Sequence, residues 1–273
     1  MSLPYHLKAS ATRVDFYTVD RLPLQPSGYL LSGREELRAA LRGLQPRPGC
    51  RLDASLTTLR PAGGFDVENV LFYNVGIPHF RRCTQEGVSF HMRQDRVDAS
   101  AGFSHHHRYE MVPVESGAEE PQLVFQLDSL TPRTRPHTVW WQARHGTRQQ
   151  LPEKIGRFRL SVMLQSPKAA HGVSDIVKAL LDGVISSFHH QPKEMDPLAV
   201  ARLAGNLGVS IEQAGRALSD ARGTPLGVRK VLSAYREGVK WNPADDLCME
   251  CVIHRRPSAD QRIRVALAIT AAD

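Results

Sequence analysis

The sequence has few cysteines and no long apolar segment. Its four cysteines, Cys50, Cys83, Cys248 and Cys251, are too few and too irregularly spaced for a disulfide framework. Cys248 and Cys251 lie in an apolar run typical of a strand, where residues i and i+3 point to opposite faces, so a shared metal site is not favoured. No stretch approaches the roughly 20 apolar residues of a membrane span, and no apolar signal segment stands near the N-terminus. These absences predict a cytoplasmic protein with free thiols and no membrane partner.

The sequence also lacks the short motifs of several enzyme classes. It contains no glycine-rich phosphate loop, no zinc signature and no nucleophile elbow, so a small-molecule enzyme of those classes is not favoured. Lysine is scarce as well, since 28 of the 35 basic residues are arginine. The net charge of the chain is +7. Arginine binds phosphate through a bidentate fork, which suits a nucleic-acid surface, although a GC-rich genome would produce the same bias.

What is present is the composition and patterning of a globular protein. The 273 residues include 41% hydrophobic and 23% charged residues, enough for one large or two small domains. Alternating apolar and polar residues predict that strands dominate residues 50–165, with helices between them. We therefore predict an α+β fold of two related halves, residues 4–150 and 151–273, built on mixed β-sheets with packed helices. A helical insertion is expected near residues 191–240.

A helical pattern over residues 171–188 carries the most informative polar residues. Apolar residues recur with the helical period on one side from Asp175 onward, whereas Asp175, Lys178 and Asp182 share the opposite side. Asp245 and Asp246 come later, just before an apolar run that predicts a strand. Carboxylates that converge from a helix and a strand end are typical ligands of a hard divalent cation such as magnesium. The alternative is a solvated Lys178–Asp182 pair, with the other carboxylates in a helix start and a turn.

The order of these elements resembles the RusA family of Holliday-junction resolvases. That family carries the signature D-x-D-N-x-x-K-x-x-x-D, followed by an acidic pair ahead of a strand. Aligned on Lys178, the resemblance implies that Lys178 and Asp182 are catalytic and that Asp182, Asp245 and Asp246 bind metal. It covers about the last 120 residues of the chain.

Three positions of this sequence depart from the family signature. Gly172 and Ser174 stand where the family has its first two aspartates, and Asp175 stands where it has asparagine. Two metal ligands that the resemblance implies are therefore missing from this part of the chain. Asp182 and Asp245 are also separated by an unusually long segment.

A similar acidic stretch occurs in the first half, as Asp66-Val67-Glu68-Asn69 after two glycines. This D-x-E-N stretch resembles the acidic loop that the second half lacks, and it matches residues 172–175 in position relative to a preceding strand. We interpret the match as an internal duplication, in which Asp66 and Glu68 would add metal ligands, and Asn69 a polar contact, to a composite site with the second half. Alternatively, Asp66 and Glu68 form a turn and the match is accidental.

Taken together, the resemblance implies a metal-dependent endonuclease with Mg²⁺ or Mn²⁺ as cofactor. It would hydrolyse phosphodiester bonds in structured DNA. The missing ligands favour an alternative from another class, a catalytically inactive nucleic-acid-binding or assembly protein that keeps the fold. The sequence leaves open whether the protein forms a homodimer.

Further motifs suggest nucleic-acid contacts without requiring them. Residues 131–150 combine arginines with Trp140 and Trp141, which suits stacking on a single strand but also suits a strand with one buried tryptophan, the interpretation that we favour. Residues 201–220 resemble a helix-turn-helix in which Ser210, Glu212, Gln213 and Arg216 would face a DNA groove, although a small helical insertion is the interpretation that we favour. Val228 to Gly238 is predicted as another short helix. Residues 105–115 alternate as a strand, but the run His105-His106-His107 at their start is predicted as a solvated turn.

Overall fold

The computed structural model describes residues 4–59, 66–93, 102–114, 120–167, 171–192 and 194–272. It mixes helices with mixed β-sheet, which confirms the α+β prediction. The strands are β1 (Tyr5–Ala9), β2 (Arg13–Thr18), β3 (Cys50–Thr58), β4 (Gly87–Arg93), β5 (His105–Pro113), β6 (Leu123–Leu127), β7 (Thr147–Arg148), β8 (Phe158–Ser166), β9 (Leu232–Tyr235), β10 (Gly238–Trp241), β11 (Cys248–Pro257) and β12 (Ile263–Ala271). The α-helices are α1 (Gly28–Gly43), α2 (Pro136–Arg144), α3 (Val177–Ser187), α4 (Pro197–Leu207) and α5 (Ile211–Ser219). Within the described residues, none of the helices is long and apolar enough to cross a lipid bilayer.

The chain forms two compact units that alternate along the sequence. Unit 1 contains Met1–Ala118, Lys168–Asp175 and Cys248–Arg256, and unit 2 contains Glu119–Pro167, Ile176–Leu247 and Pro257–Asp273. Residue 150, where the sequence analysis divides the chain, lies inside unit 2. A unit boundary passes between Asp175 and Ile176, within the segment that resembles the RusA signature.

Unit 1 is built on strands in the order β1-β2-β5-β3-β4-β11. Neighbouring strands are antiparallel except β3 and β4, which run parallel. The connection between β3 and β4 includes a short π-helix, Asn69–Tyr73. Helix α1 packs on β1 and β2, and Gly33 allows a close approach because a Cβ there would lie 3.0 Å from the ring of Phe16.

The histidine run shows why β5 belongs to the core of unit 1. His105 and His107 are buried, together with Tyr109 and Met111, because alternate residues of a strand point to the same face. Burial lowers the pKa of His107 to about 3. The prediction of a solvated turn at the three histidines is therefore wrong, whereas the strand that alternation predicts here begins at His105 and continues through Tyr109.

Unit 2 is built on strands in the order β8-β12-β6-β7, in which β12 pairs antiparallel with both β6 and β8. Helices α2 and α3 pack closely against each other at Gly183. A Cβ at this position would lie 2.6 Å from Cβ of Val139 and 2.7 Å from the carbonyl oxygen of Pro136. A glycine is therefore required for this helix contact.

The tryptophan segment of unit 2 is a helix rather than the predicted strand. Pro136 occupies the first turn of α2, where its missing N–H costs no hydrogen bond. Val139, Trp140 and Ala143 then form the buried face. The prediction that at least one tryptophan is in the core is confirmed, because Trp140 is 1% exposed.

The segment predicted as a helical insertion contains two helices followed by a hairpin. Helices α4 and α5 are joined through Gly208, which has a left-handed φ of 67°. Ser210 caps α5 by accepting a hydrogen bond from the backbone N–H of Gln213 at 3.1 Å. The helix predicted for Val228 to Gly238 is wrong, because β9 and β10 pair antiparallel there, with Tyr235 opposite Gly238. The two-residue turn was missed because it lacks the Asn-Gly signal of such hairpins.

Candidate functional site

Helix α3 positions the two polar residues of greatest interest in unit 2. Its apolar residues Leu180, Val184 and Ile185 are fully buried, as the helical period predicts. Each such burial contributes roughly 1.5–3 kcal/mol, so the orientation of the helix is strongly determined. Lys178 and Asp182 are one turn apart on the other face. Asp182 is nevertheless only 9% exposed, so this face is not the freely solvated one of the simpler interpretation.

The ammonium group of Lys178 lies between two carboxylates. Its Nζ is 3.0 Å from Oδ1 of Asp182 and 3.4 Å from Oδ2 of Asp245. Asp245 comes from the 3-10 turn Asp245–Leu247, far away in sequence. We call Lys178, Asp182 and Asp245 the carboxylate cluster. All three side chains are half-buried or buried, so their interactions are less screened by water than those of a surface ion pair.

The pKa of Asp182 is raised from 3.8 to about 6. Burial is the largest cause, because removing a carboxylate from water disfavours its charged form. Lys178 opposes the shift through its charge and hydrogen bonding, and the negative charge of Asp245 adds to it. The cluster therefore contains a carboxyl group that changes protonation state near neutral pH.

The second residue of the acidic pair has a different partner. Oδ1 of Asp246 lies 3.8 Å from Nη2 of Arg229, whose Nε donates to the carbonyl oxygen of Asn242 at 2.9 Å. The backbone N–H of Asp246 donates to Oδ1 of Asp245 at 3.1 Å, which shapes the turn. Asp246 thus neighbours the carboxylate cluster in sequence but is ion-paired to Arg229. Sequence reasoning missed Arg229, because nothing in its local pattern links it to the acidic pair.

The D-x-E-N residues belong to unit 1, where their contacts organise a turn. Oδ1 of Asp66 accepts hydrogen bonds from the backbone N–H groups of Glu68 at 2.9 Å and Asn69 at 3.3 Å. Glu68 is 2% exposed, and burial, together with nearby charges that include that of Glu68, raises the pKa of the Cys251 thiol. Asn69 begins the π-helix Asn69–Tyr73. These contacts match the alternative interpretation of Asp66 as a turn residue.

The positions that match the family's acidic loop also lie in unit 1 and are closely packed. A Cβ at Gly172 would lie 2.4 Å from Oγ1 of Thr84 and 2.7 Å from the carbonyl oxygen of Arg81. The hydroxyl of Ser174 is buried 2.9 Å from that of Thr84. Asp175 accepts a hydrogen bond of 2.6 Å from Nε of Arg81. Each of these three residues is therefore tightly packed or hydrogen-bonded within unit 1.

The structure brings together Lys178, Asp182 and Asp245, and it places Asp246 beside Arg229. Asp66, Glu68, Asn69 and Asp175 lie in unit 1. Across the residues that the structure describes, no group of three or more histidine, cysteine, aspartate or glutamate residues is arranged to hold a metal ion. In the comparisons with known proteins, no family model, no curated protein and no solved structure matches this chain.

Proposed function

We propose that this chain is a magnesium- or manganese-dependent endonuclease that hydrolyses phosphodiester bonds in structured DNA. The observation that supports it is the carboxylate cluster of unit 2, in which Lys178 contacts both Asp182 and Asp245. A RusA-like site would require this grouping of its lysine, its helical aspartate and one residue of its acidic pair. The net charge of +7 would add salt-dependent attraction to the phosphate backbone.

The oxygen ligands of the cluster fit a hard divalent cation. Magnesium in proteins is commonly held by one or two carboxylates, retains several waters and takes further oxygens from substrate phosphates. Asp182 and Asp245 would supply the two carboxylates. Burial makes the charged form of Asp182 costly, and a cation would offset this cost. When bound, magnesium would lower the pKa of a water molecule and neutralise charge on the phosphate.

The residues of the chain would have distinct tasks during hydrolysis. Lys178 contacts both carboxylates, and it would stabilise negative charge that develops on the phosphate in the transition state. Asp182 would bind the cation in its ionised form, so protonation of this carboxyl group, whose pKa is about 6 without the cation, would compete with metal binding. Arg229 would keep Asp246 oriented beside the cluster.

A second function, nucleic-acid binding without catalysis, is favoured by the loop that precedes α3. Gly172 and Ser174 have replaced the first two acidic residues of the signature, and both positions are packed against Thr84 in unit 1. A chain with this substitution would retain a basic surface while losing metal ligands. In that case the protein would bind nucleic acid or contribute to an assembly, and the carboxylate cluster would be a remnant.

Cleavage assays on labelled branched, duplex and single-stranded DNA test the two functions. The purified chain is assayed with magnesium, with manganese and with EDTA, beside Asp182→Asn and Asp245→Asn. The endonuclease proposal predicts metal-dependent cutting that both substitutions reduce at least about a hundredfold, as expected for loss of a ligand that acts in the transition state. Manganese affinity measured by calorimetry should fall in the same variants.

Asp128→Asn is the matched control, because Asp128 is an exposed aspartate of unit 2 paired with Arg262. It should leave both cutting and manganese affinity unchanged. Cutting that persists in the two cluster variants would overturn the assignment of the site. Absence of cutting, with binding that weakens steeply as salt increases, would support the non-catalytic function instead.

A further inference from the structure

Unit 2 contains an open cavity of about 520 Å³ between the last turn of α2 and helix α5. Its lining includes Trp141, Arg144 and His145 from α2 and the residue that follows it, and Gln213 and Arg216 from α5. A volume of this size is within the range of small-ligand sites, roughly 300–1,000 Å³. The cavity joins the two segments that sequence analysis linked to nucleic acids, the tryptophan segment and the helix-turn-helix segment.

Two buried guanidinium groups lie at and beside this cavity. The side chain of Arg144 is 3% exposed, and it donates to the carbonyl oxygens of Ala217 and Ser187, both at 3.1 Å. Arg148 donates to the carbonyl oxygens of Ala143, at 3.0 Å, and Gly223. Burial and the neighbouring charge of Arg144 lower the pKa of Arg148 to about 10. Backbone carbonyl oxygens therefore hold both guanidinium groups in place, and the negative charge of Asp220 partly offsets their positive charge.

The remaining charges at the cavity lie on its exposed rim. Arg216 is ion-paired with Glu212 at 2.5 Å, and Arg222 with Asp220 at 2.9 Å. Both arginine side chains are highly exposed, at 78% and 91%, so solvent weakens the Arg216–Glu212 pair. Arg222 holds Asp220 more firmly, because it donates to both carboxylate oxygens and lowers the pKa of Asp220 to about 2. Asp220 is also 4.0 Å from Arg144 and is thus shared between two guanidinium groups. A phosphodiester group would give the rim arginines a further anion, with two oxygens that a guanidinium can bind in bidentate geometry.

The wall of the cavity adds an aromatic surface. Trp141 is half-buried, and its ring centroid lies 4.2 Å from that of His145, one helical turn away. Gln213 lines the same cavity with an amide that can donate and accept hydrogen bonds. Aromatic rings beside exposed arginines are the combination that binds single-stranded nucleic acid, because a base stacks on the ring while cations contact the phosphate.

We infer that this cavity binds one nucleotide of an unpaired strand, with its base beside Trp141 and its phosphate near Arg216 and Arg222. The inference shares nucleic acid as the ligand with the proposed function but assigns it to a different site. Neither Lys178 nor either cluster aspartate lines the cavity. Binding here therefore requires no metal and no cutting, and it would hold single-stranded DNA next to a branch or an end.

Fluorescence anisotropy of a short labelled oligothymidylate, measured in EDTA, tests the inference. Arg216→Gln and Arg222→Gln should each weaken binding severalfold and should reduce the slope of log affinity against log salt by about 0.7, as expected for one lost phosphate contact. Trp141→Leu should weaken binding at least about fivefold at unchanged salt slope, whereas Trp141→Phe, which retains a stacking ring, should recover much of the affinity.

Arg262→Gln is the matched control, because Arg262 is an exposed arginine of unit 2 that is also paired with an aspartate and does not line the cavity. The inference is overturned if the wild type does not bind oligothymidylate, or if Arg262→Gln weakens binding as much as Arg216→Gln. It is also overturned if inorganic phosphate displaces the oligonucleotide as effectively as thymidine monophosphate does. EDTA removes the metal that cleavage would require, so the binding assay does not depend on catalysis. A protein that cuts DNA but does not bind oligothymidylate would overturn this inference alone, and one that binds without cutting would overturn the endonuclease proposal alone.

Discussion

The ammonium group of Lys178 lies 3.4 Å from the carboxylate of Asp245, a residue that is distant in sequence but belongs to the same compact unit. Lys178 also contacts Asp182 at 3.0 Å, so one cation serves two carboxylates. Because Asp182 is buried, its ionised form destabilises the folded protein, and a bound cation would reduce this cost. Buried charges of this kind are more frequent in functional sites than on ordinary helix surfaces.

Replacing Asp182 by asparagine should stabilise the folded protein. The pKa of Asp182 is raised from 3.8 to about 6 in the folded state, so its contribution to stability is full below pH 3.8 and is lost as the pH rises through 6. At about pH 8 the substitution should raise the free energy of unfolding by about 1–3 kcal/mol, and near pH 4 it should have little effect. Urea denaturation at both pH values measures this. A loss of stability at pH 8 would contradict the prediction.

Adding one methyl group at Gly183 should separate α2 from α3. The new Cβ would lie 2.6 Å from Val139, so Gly183→Ala should lower the free energy of unfolding by about 1–3 kcal/mol. Gly205→Ala in α4 is the control, because no heavy atom lies within 4 Å of the added Cβ. That control should gain about 0.5–1 kcal/mol from improved helix propensity. Equal effects of the two substitutions in thermal or urea denaturation would count against the close helix contact.

Placing an aspartate at Gly172, where the RusA signature has one, should damage the fold without creating a metal ligand. The added Cβ would lie 2.7 Å from a backbone carbonyl oxygen of Arg81, which cannot move aside as a flexible side chain would. We expect Gly172→Asp to lower the free energy of unfolding by more than about 2 kcal/mol. Gly156→Asp, at an unobstructed position, should change it by less than about 0.5 kcal/mol. A stable Gly172→Asp variant with increased DNA cleavage would contradict both expectations.

Removing the imidazole of His107 should make unit 1 less sensitive to acid. Burial lowers the pKa of His107 to about 3, so its contribution to stability is present above its ordinary pKa of 6.5 and is lost as the pH falls toward 3. Between pH 7 and pH 4 the wild type should therefore lose about 2–4 kcal/mol from this group alone. His107→Leu should reduce that difference, whatever its effect at pH 7. Denaturation of both proteins at pH 7 and pH 4 measures this, and an equal loss of stability in the wild type and in His107→Leu would contradict the prediction.

Local patterns in the sequence predict several elements well. The helical period identifies the buried face of α3, and alternation identifies strands such as β3 and β8. Prediction from local sequence fails where polar residues are buried or where a turn lacks its usual residues. Thus alternation predicts strand β5, but its first histidines are buried rather than in a solvated turn, and the β9–β10 hairpin stands where a helix is predicted. The RusA-like family assignment, the composite metal site and the internal duplication remain predictions from the sequence.

By itself, the sequence determined that Lys178 and Asp182 share one face of a helix, because residues four apart in an α-helix always do. The sequence also determined the α+β class, because apolar residues that recur about every 3.6 positions indicate helices and those that alternate indicate strands. Only the tertiary structure decided that Asp245 reaches Lys178, that Asp182 is buried, and that α2 and α5 enclose a cavity lined by arginines and Trp141. The physical reason is that such contacts join residues distant along the chain, and they depend on packing rather than on the local conformation of the backbone.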